Sequence, residues 1–324
     1  MTVDAQILRA LRETPGGVSG AELSRQLGMT RAGVWGHIGQ LRALGYDIEA
    51  SPHFGYRLIA APDLLHADDL SSRLGQTRVI GREIHVFKET TSTNDVAARL
   101  ARGGAGEGAV VFAEAQTKGR GRLGRVWLSP AAKGLWFTVV LRPSIPPSHA
   151  TQLTIAAATA LARAITQQTG IVPEIKWPND ILIRGRKVAG ILTEMEAEVE
   201  RVKELLLGIG MDVNLETADF PAALRKIATS LRIETGQKVN RAELAVAILR
   251  ELDRDYDLVK NGQFPMLAEQ WEERCSTLGR QVAIRVGDRI IRGRAESLDD
   301  DGSLLVRSPH GHLQRIIGGD VSVV

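Results

Sequence analysis

The sequence predicts an α+β chain built in three parts, and three observations carry that reading. Short helical patterns separated by glycine turns fill the first sixty residues and end in a hairpin pattern. In the middle, strand-length apolar runs follow one another through tight turns, with the long helical patterns set before and after them rather than between them. The last fifty residues are short alternating runs broken by Gly-Asp, Asp-Gly and His-Gly pairs.

The first part opens with Val3, Ile7, Leu8 and Leu11 on one helical face, and Pro15-Gly16-Gly17 ends that helix. Ser19-Gly-Ala-Glu22 reads as a capping box for a second helix through Leu27. Gly28-Met29 makes a tight turn, and Thr30 caps a third helix that stops at Gly45. Residues 46–59 read as a hairpin with a Ser-Pro-His-Phe-Gly tip. Three helices and a hairpin describe a winged helix-turn-helix over 1–62; a small helical interaction module is the other reading. Arg31, His37 and Arg42 on the third helix, together with Arg25, have no acid among them and are the candidate DNA contacts. Against this, residues 1–60 hold six Arg and five acids, a net charge near neutral. Gly33, Gly36 and Gly39 also stand at successive i, i+3 positions of the helix that would read bases. Each costs about 0.5–1 kcal/mol relative to Ala, and none can reach a base edge. Trp35 is the bulky exception, as core or as contact.

Residues 61–83 read as a linker with a short helix. A larger unit then extends to residue 275. Strands are expected at IHVFKE from Ile84, Ala109–Ala115, Leu135–Leu141, Ile175–Trp177, Ile181–Ile183, Lys187–Glu196 and Val202–Val213. Helices are expected at Asn94–Leu100, His149–Gln168, Arg241–Lys260 and Pro265–Arg274. This is a mixed or antiparallel sheet with helices, not a doubly wound parallel one. The runs QVAIRV, RIIRGRAESL, SLLVRS and LQRIIGG in 276–324 suggest a small β-barrel of SH3-like size.

The bulk numbers narrow the function classes. A chain of 324 residues fits two or three domains. Hydrophobic residues at 44% and charged residues at 24% are an ordinary globular balance. A net charge of +3 does not argue for nucleic acid, so only local clusters can. The sole cysteine, Cys275, excludes an internal disulfide and fits a reducing cytoplasm. No apolar leader is visible in MTVDAQILRALRE. The longest apolar helical run, Thr154–Ala162, stops at Arg163, short of the roughly 20 residues a membrane span needs.

Residues 117–127, TKGRGRLGRVW, pose the sharpest question, because Gly119–Gly124 matches the dinucleotide fingerprint G-x-G-x-x-G. That motif needs a strand before it, a helix starting inside it and an acid about 20 residues on. The strand is expected at 109–115. The helix is not, since Val126-Trp-Leu-Ser-Pro130 cannot sustain one, and Pro143, Ser144 and Ile145 stand where the acid belongs. We read the match as coincidental. A glycine-rich loop carrying Lys118, Arg120, Arg122 and Arg125 is left, either a loop that folds over an anionic ligand or a basic surface loop.

Lys176-Trp-Pro-Asn-Asp180, after a short strand, weighs toward the anion site. A Lys near a sheet end is a point charge suited to a phosphate, and with the loop arginines it can stabilise charge developing during attack on phosphorus. Thr91-Ser-Thr-Asn94 adds hydroxyls and an amide at a helix start, able to hold a neutral polar head group.

These motifs together resemble the bifunctional biotin protein ligases and biotin-operon repressors. TTSTN (90–94), AEAQTKGRGRLGR (113–125), KWPND (176–180), GRKVAGIL (185–192) and GIGMDVN (208–214) come in that family's order and spacing, over nearly the whole chain. The resemblance implies a class II synthetase-like catalytic domain, with ATP, Mg²⁺ and biotin bound. It implies attack of biotin's carboxylate on the α-phosphate, giving biotinyl-5′-AMP and pyrophosphate. A lysine of a biotin carboxyl carrier protein domain then takes the biotin. By resemblance, Ser92, Thr93, Asn94, Gln116 and Gly121 line the biotin site. Arg120 and Arg122 close over carboxylate and phosphate, and Lys176 neutralises the α-phosphate. Trp127, Lys187 and Asp212 face the adenylate; a core role for Trp127 and a solvated one for Lys187 are the alternatives. The family also implies operator DNA and a homodimer as partners, in the cytoplasm.

Two departures stand out. Asp212 replaces an Asn common in the pattern G-I-G-x-N-x-N, and an ionised Asp accepts hydrogen bonds but cannot donate them. The glycine-rich third helix departs from the polar one usual in repressors. A lipoate-type ligase and a ligand-sensing repressor without ligase activity are the competing functions.

Overall fold

The computed structural model describes residues 1–323. Its first unit holds α1 (Val3–Glu13), α2 (Gly20–Leu27), α3 (Arg31–Ala43), β1 (Asp47–Ser51) and β2 (Gly55–Ala60). Thr2, Ser19 and Thr30 cap the three helices, each accepting a backbone N–H three residues on. The expected capping box is only half present, because the Glu22 carboxylate turns away to Arg25 and Gln26. Ile7, Leu8, Leu23, Val34, Ile38 and Leu41 are fully buried and form a core of their own under the β1–β2 hairpin. This unit sits on α4 (Ala67–Leu74), where Arg12 bonds Asp69 and Ser72 and the Thr2 hydroxyl donates to Asp68 at 2.5 Å.

The central sheet has seven strands: β3 (Ile84–Phe87), β4 (Val110–Ala113), β5 (Gly134–Leu141), β6 (Glu174–Lys176), β7 (Asp180–Ile183), β8 (Arg186–Ala197) and β9 (Val202–Asp212). Their spatial order is β3-β4-β5-β9-β8-β7-β6. Only β3 and β4 run parallel; every other pair is antiparallel. Period-2 alternation sorts the side chains. Val110, Phe112, Leu135, Phe137 and Val139 join the large core with α6 (Ala150–Thr169) and α8 (Arg241–Lys260). Val111 and Val140 point the other way, onto Val96 and Ala97 of α5 (Thr93–Arg102). With both faces covered, all eight residues of β5 are buried.

Two helices complete this unit: α7 (Leu231–Thr235), capped by Ser230, and α9 (Phe264–Glu272). The first has no counterpart in the sequence reading, because five residues are too few to show a helical period. The C-terminal unit contains β10 (Gln281–Val286), β11 (Arg289–Leu298), β12 (Leu304–Arg307), β13 (Leu313–Ile316) and β14 (Asp320–Val323), ordered β13-β12-β11-β10-β14 and antiparallel throughout. The strands match the expected small β unit. Among the described residues, however, β13 and β14 do not pair, so the ladder is not closed by hydrogen bonds. Its inward residues Val282, Ile284 and Val321 belong to the same buried cluster as the central sheet. Among the described residues, no helix is long and apolar enough to cross a membrane.

Candidate active site

A cavity of about 620 Å³ opens where the 119–127 loop, the β6–β7 turn, strands β8 and β9, and β14 meet. Ser92, Thr93, Asn94, Gln116, Arg120, Gly121, Arg122, Trp127, Lys176, Lys187 and Asp212 all line it. Residues spread over more than a hundred positions thus converge on one site.

One end is a satisfied polar network. The Thr93 backbone N–H donates to Gln116 Oε1 at 2.8 Å, and Gln116 Nε2 donates to Ser129 Oγ at 2.9 Å. The Thr138 hydroxyl lies 2.8 Å from Thr93 Oγ1 and 2.5 Å from Asn94 Oδ1. Asn94 Nδ2 donates to Glu194 at 2.8 Å. Buried polar groups bonded in this way are held in fixed rotamers. Ser92 differs: it is buried at the N-cap of α5, yet its side chain makes no capping bond.

The loop holds no α-helix, in line with the sequence, and only a single 3₁₀ turn at Arg122–Gly124. Gly121 N–H donates to Arg125 O at 2.7 Å and Trp127 N–H to Gly119 O at 2.9 Å, closing a hairpin-like turn through Leu123 in the left-handed region. Arg120 donates to Asp95 at 2.7 Å and lies 3.4 Å from Glu194. Burial works against its charge, but these two carboxylates outweigh burial and raise its pKa. Arg122 donates to Asn179 Oδ1 at 3.1 Å and to Gly319 O at 3.4 Å. Burial lowers its pKa, opposed by Asp320 and Asp180. Arg125 pairs with Asp320 of β14. The loop therefore spans the catalytic and C-terminal units.

Trp127 lies flat on the sheet, and two glycines make that possible. Gly190 and Gly210 face each other across β8 and β9. A Cβ at Gly210 would stand 2.6 Å from the indole, and one at Gly190 3.0 Å from it. The Lys187 ammonium sits 5.2 Å from the Trp127 ring centre and 2.6 Å from Asp180 Oδ1. Lys176, opposite Asp180 in the β6–β7 register, has no ion-pair partner among the described residues. Arg122 and Arg285 also line the cavity without a carboxylate partner, but Arg122 is held by Asn179 and the Gly319 carbonyl.

Asp212 is buried at the end of β9, and burial pushes its carboxyl well above the usual range, with Lys187 pulling back. Burial thus shifts Asp212 toward the neutral acid, and a neutral carboxyl has one O–H donor beside its acceptor oxygen. In that form it would donate and accept as an Asn does, where the ionised form can only accept.

Several lining or supporting residues were not singled out from sequence: Asp95, Thr138, Glu194, Arg285 and Asp320. Asp320 is 195 positions from its partner Arg125, so no local pattern could reveal it.

The three candidate DNA contacts lie apart from this cavity. His37 Nδ1 is 2.7 Å from Asp4, and Arg42 donates twice to the Ile48 carbonyl, at 2.9 and 2.5 Å, so both serve the domain's own packing. Arg31 is exposed. Trp35 is 67% exposed, which places it outside the core. A Cβ at Gly36 or Gly39 would meet nothing within 4 Å.

The chain matches an HTH domain over residues 4–57, the biotin/lipoate A/B protein ligase family over 86–212, and the biotin protein ligase C-terminal domain over 277–324. It is 40% identical to the bifunctional ligase/repressor BirA of Bacillus subtilis over 94% of both chains. The chain belongs to the biotin protein ligase family. A biotin–[acetyl-CoA-carboxylase] ligase of Paracoccus denitrificans is 37% identical over 70% of this chain and 95% of its own. The biotin protein ligase of Aquifex aeolicus, solved in complex with biotin and ATP, superposes with a TM-score of 0.65 at 29% identity, over 75% of this chain and 99% of that one. Like its bifunctional relatives, this biotin protein ligase family member joins a ligase catalytic domain to an N-terminal helix-turn-helix.

Proposed function

We propose that this cavity activates biotin with ATP and passes it to a lysine of a biotin carboxyl carrier domain. The observation that carries the reading is the unpaired Lys176 beside two loop arginines, facing a rigid polar network across one cavity. Ser92, Thr93, Asn94 and Gln116 hold the neutral head group of biotin. Its carboxylate oxygen attacks the α-phosphorus, the bond to the bridging oxygen breaks, and pyrophosphate leaves. Lys176 neutralises the charge that grows on the α-phosphate oxygens, with Arg120 and Arg122 closing over the product. Trp127 and Lys187 hold the adenine end, and Asp212, which burial shifts toward the neutral acid, faces the same end. In the second step the carrier amine attacks the acyl carbon, AMP departs, and the amine loses its proton.

No group of three His, Cys, Asp or Glu side chains among the described residues could hold a metal. Mg²⁺ usually keeps several waters and binds through one or two carboxylates and substrate phosphates. It would arrive on the triphosphate, with Asp180 beside Lys176 as the carboxylate to complete its shell; when bound it supplies charge neutralisation. Water exclusion by the loop would protect the acyl-adenylate from hydrolysis.

We further propose a biotin-responsive repressor role through residues 1–62, with Arg31 and the exposed face of α3 toward operator DNA, residues 63–275 as the catalytic unit and 276–324 as its C-terminal partner. A cytoplasmic homodimer joined through an edge of the central sheet fits this reading. The test is incubation of the full chain with ATP, Mg²⁺, labelled biotin and a carrier domain. Label on the carrier lysine is expected, and an unlabelled carrier overturns the proposal.

A further inference from the structure

The outer face of the C-terminal sheet carries a run of arginines that the adenylation chemistry does not use. Residues opposite one another in a ladder share a face, and faces alternate along each strand. Val282, Ile284 and Val321 point into the core. Arg285, paired with Ile290 and Asp320, therefore points outward, as do Arg292, opposite Ala283, and Arg294, opposite Gln281. All three arginines are exposed, and Ile290 between them is 43% exposed.

Of the six side-chain carboxylates of this unit, Asp288 in the β10–β11 turn and Asp300 have no ion pair among the described residues, and the other four are engaged elsewhere. Glu296 pairs with Arg307, Asp299 and Asp301 with Arg315, and Asp320 with Arg125. Arg285, Arg292 and Arg294 have no carboxylate partner among the described residues; Arg294 donates only to the Gly279 carbonyl at 3.3 Å. The face is also continuous with the active site, since Arg285, Asp320 and Ser322 form part of the cavity wall. The positive surface thus begins at the reacting centre and runs outward over β11.

We propose that this face docks the acceptor protein: a small domain presenting carboxylates around its target lysine. The inference rests on the ligase reading above. Charge complementarity steers such an encounter and sets its orientation more than it adds raw affinity. Arg285 at the rim and Arg292 and Arg294 further out would draw the acidic surface over the cavity and bring the amine to the acyl-adenylate. Ile290 gives the rim a small apolar contact. Continuity with the cavity favours the acceptor protein over nucleic acid, which would have no reason to be led to this opening.

The experiment uses the full chain carrying Arg292→Glu and Arg294→Glu, neither of which touches the cavity. Biotin-dependent ATP–pyrophosphate exchange reads the first step and the fold; biotinylation of a carrier domain reads docking. Exchange within about twofold of wild type is expected, with KM for the carrier raised roughly tenfold, kcat kept, and weaker salt dependence. The Arg292→Lys, Arg294→Lys protein should behave as wild type. An unchanged carrier KM in the Glu protein overturns the inference, as does a loss confined to binding of double-stranded DNA. If the Glu protein loses exchange, Arg292→Gln with Arg294→Gln takes its place under the same two criteria. Absence of exchange in the wild type would instead strike the ligase reading itself.

Discussion

The Lys187 ammonium lies 5.2 Å from the centre of the Trp127 ring, which itself rests on the Gly190–Gly210 pair. A cation above an aromatic face is attracted by the ring quadrupole. Together they form a flat platform edged by charge, which suits a purine next to phosphates. Base–aromatic stacking is worth about 1–3 kcal/mol by alanine substitution. Trp127→Ala should therefore raise KM for ATP by roughly 5- to 150-fold and leave KM for biotin much less affected. Pyrophosphate exchange at varied ATP and biotin checks this, and equal effects on both substrates would refute the assignment.

Gly210→Ala tests the same platform from below. Its Cβ would stand 2.6 Å from the indole, so the ring must shift. The expected outcome is a higher KM for ATP with the fold retained by circular dichroism. An unchanged KM would show that the ring position is immaterial.

Arg125 and Asp320 tie the loop to β14, with side chains 63% and 32% exposed. Exposed pairs contribute about 0.2–1 kcal/mol. Asp320→Asn should speed protease cleavage within 117–127 by about 1.5- to 5-fold, and biotin with ATP should slow cleavage in both proteins. Cleavage indifferent to ligand would show that the loop does not close over the intermediate.

Asp212 predicts a pH dependence. Its folded pKa is raised by burial, so the stability it confers is complete below the unfolded pKa and is lost as pH rises through the folded one. Asp212→Asn removes that loss. The Tm of the Asn protein minus that of wild type should grow between about pH 4, near the unfolded pKa, and neutrality. A difference that stays constant over this range would mean that Asp212 is ionised in the fold.

Much of this was legible before the structure. Long periodic elements such as α6 and α8 carry their own hydrophobic pattern, and the strands β7 to β9 announce themselves by their turns. The site motifs were legible because each is local: TTSTN, GRGRLGR and KWPND are contiguous. The partners of those motifs were not. Glu194 meets Asn94 across a hundred residues, and Asp320 meets Arg125 only through the approach of two sheets. The protonation of Asp212 also depends on what surrounds it. His37 and Arg42 looked like DNA contacts from charge alone; Asp4 and the Ile48 carbonyl, which hold them, come together only in the folded domain.

Behind the cavity, Arg241 is 1% exposed and donates to Glu114 at 2.6 Å, while Glu114 also accepts the Leu65 N–H at 2.6 Å. This buried pair anchors α8 to the residue two before Gln116. Removing one partner of a buried pair costs about 3–5 kcal/mol, because the other charge is left uncompensated. Arg241→Ala should lower the unfolding free energy by that amount in denaturant titration, and a change below about 1 kcal/mol, typical of exposed pairs, would contradict the burial argument.

The central claim is that Lys176 is the cation on which adenylation turns. Biotin-dependent ATP–pyrophosphate exchange, measured on wild type and on Lys176→Ala, tests it most directly. Wild type should exchange, and folded Lys176→Ala should lose about 10²-fold or more of that rate. Exchange undiminished in Lys176→Ala would contradict the account.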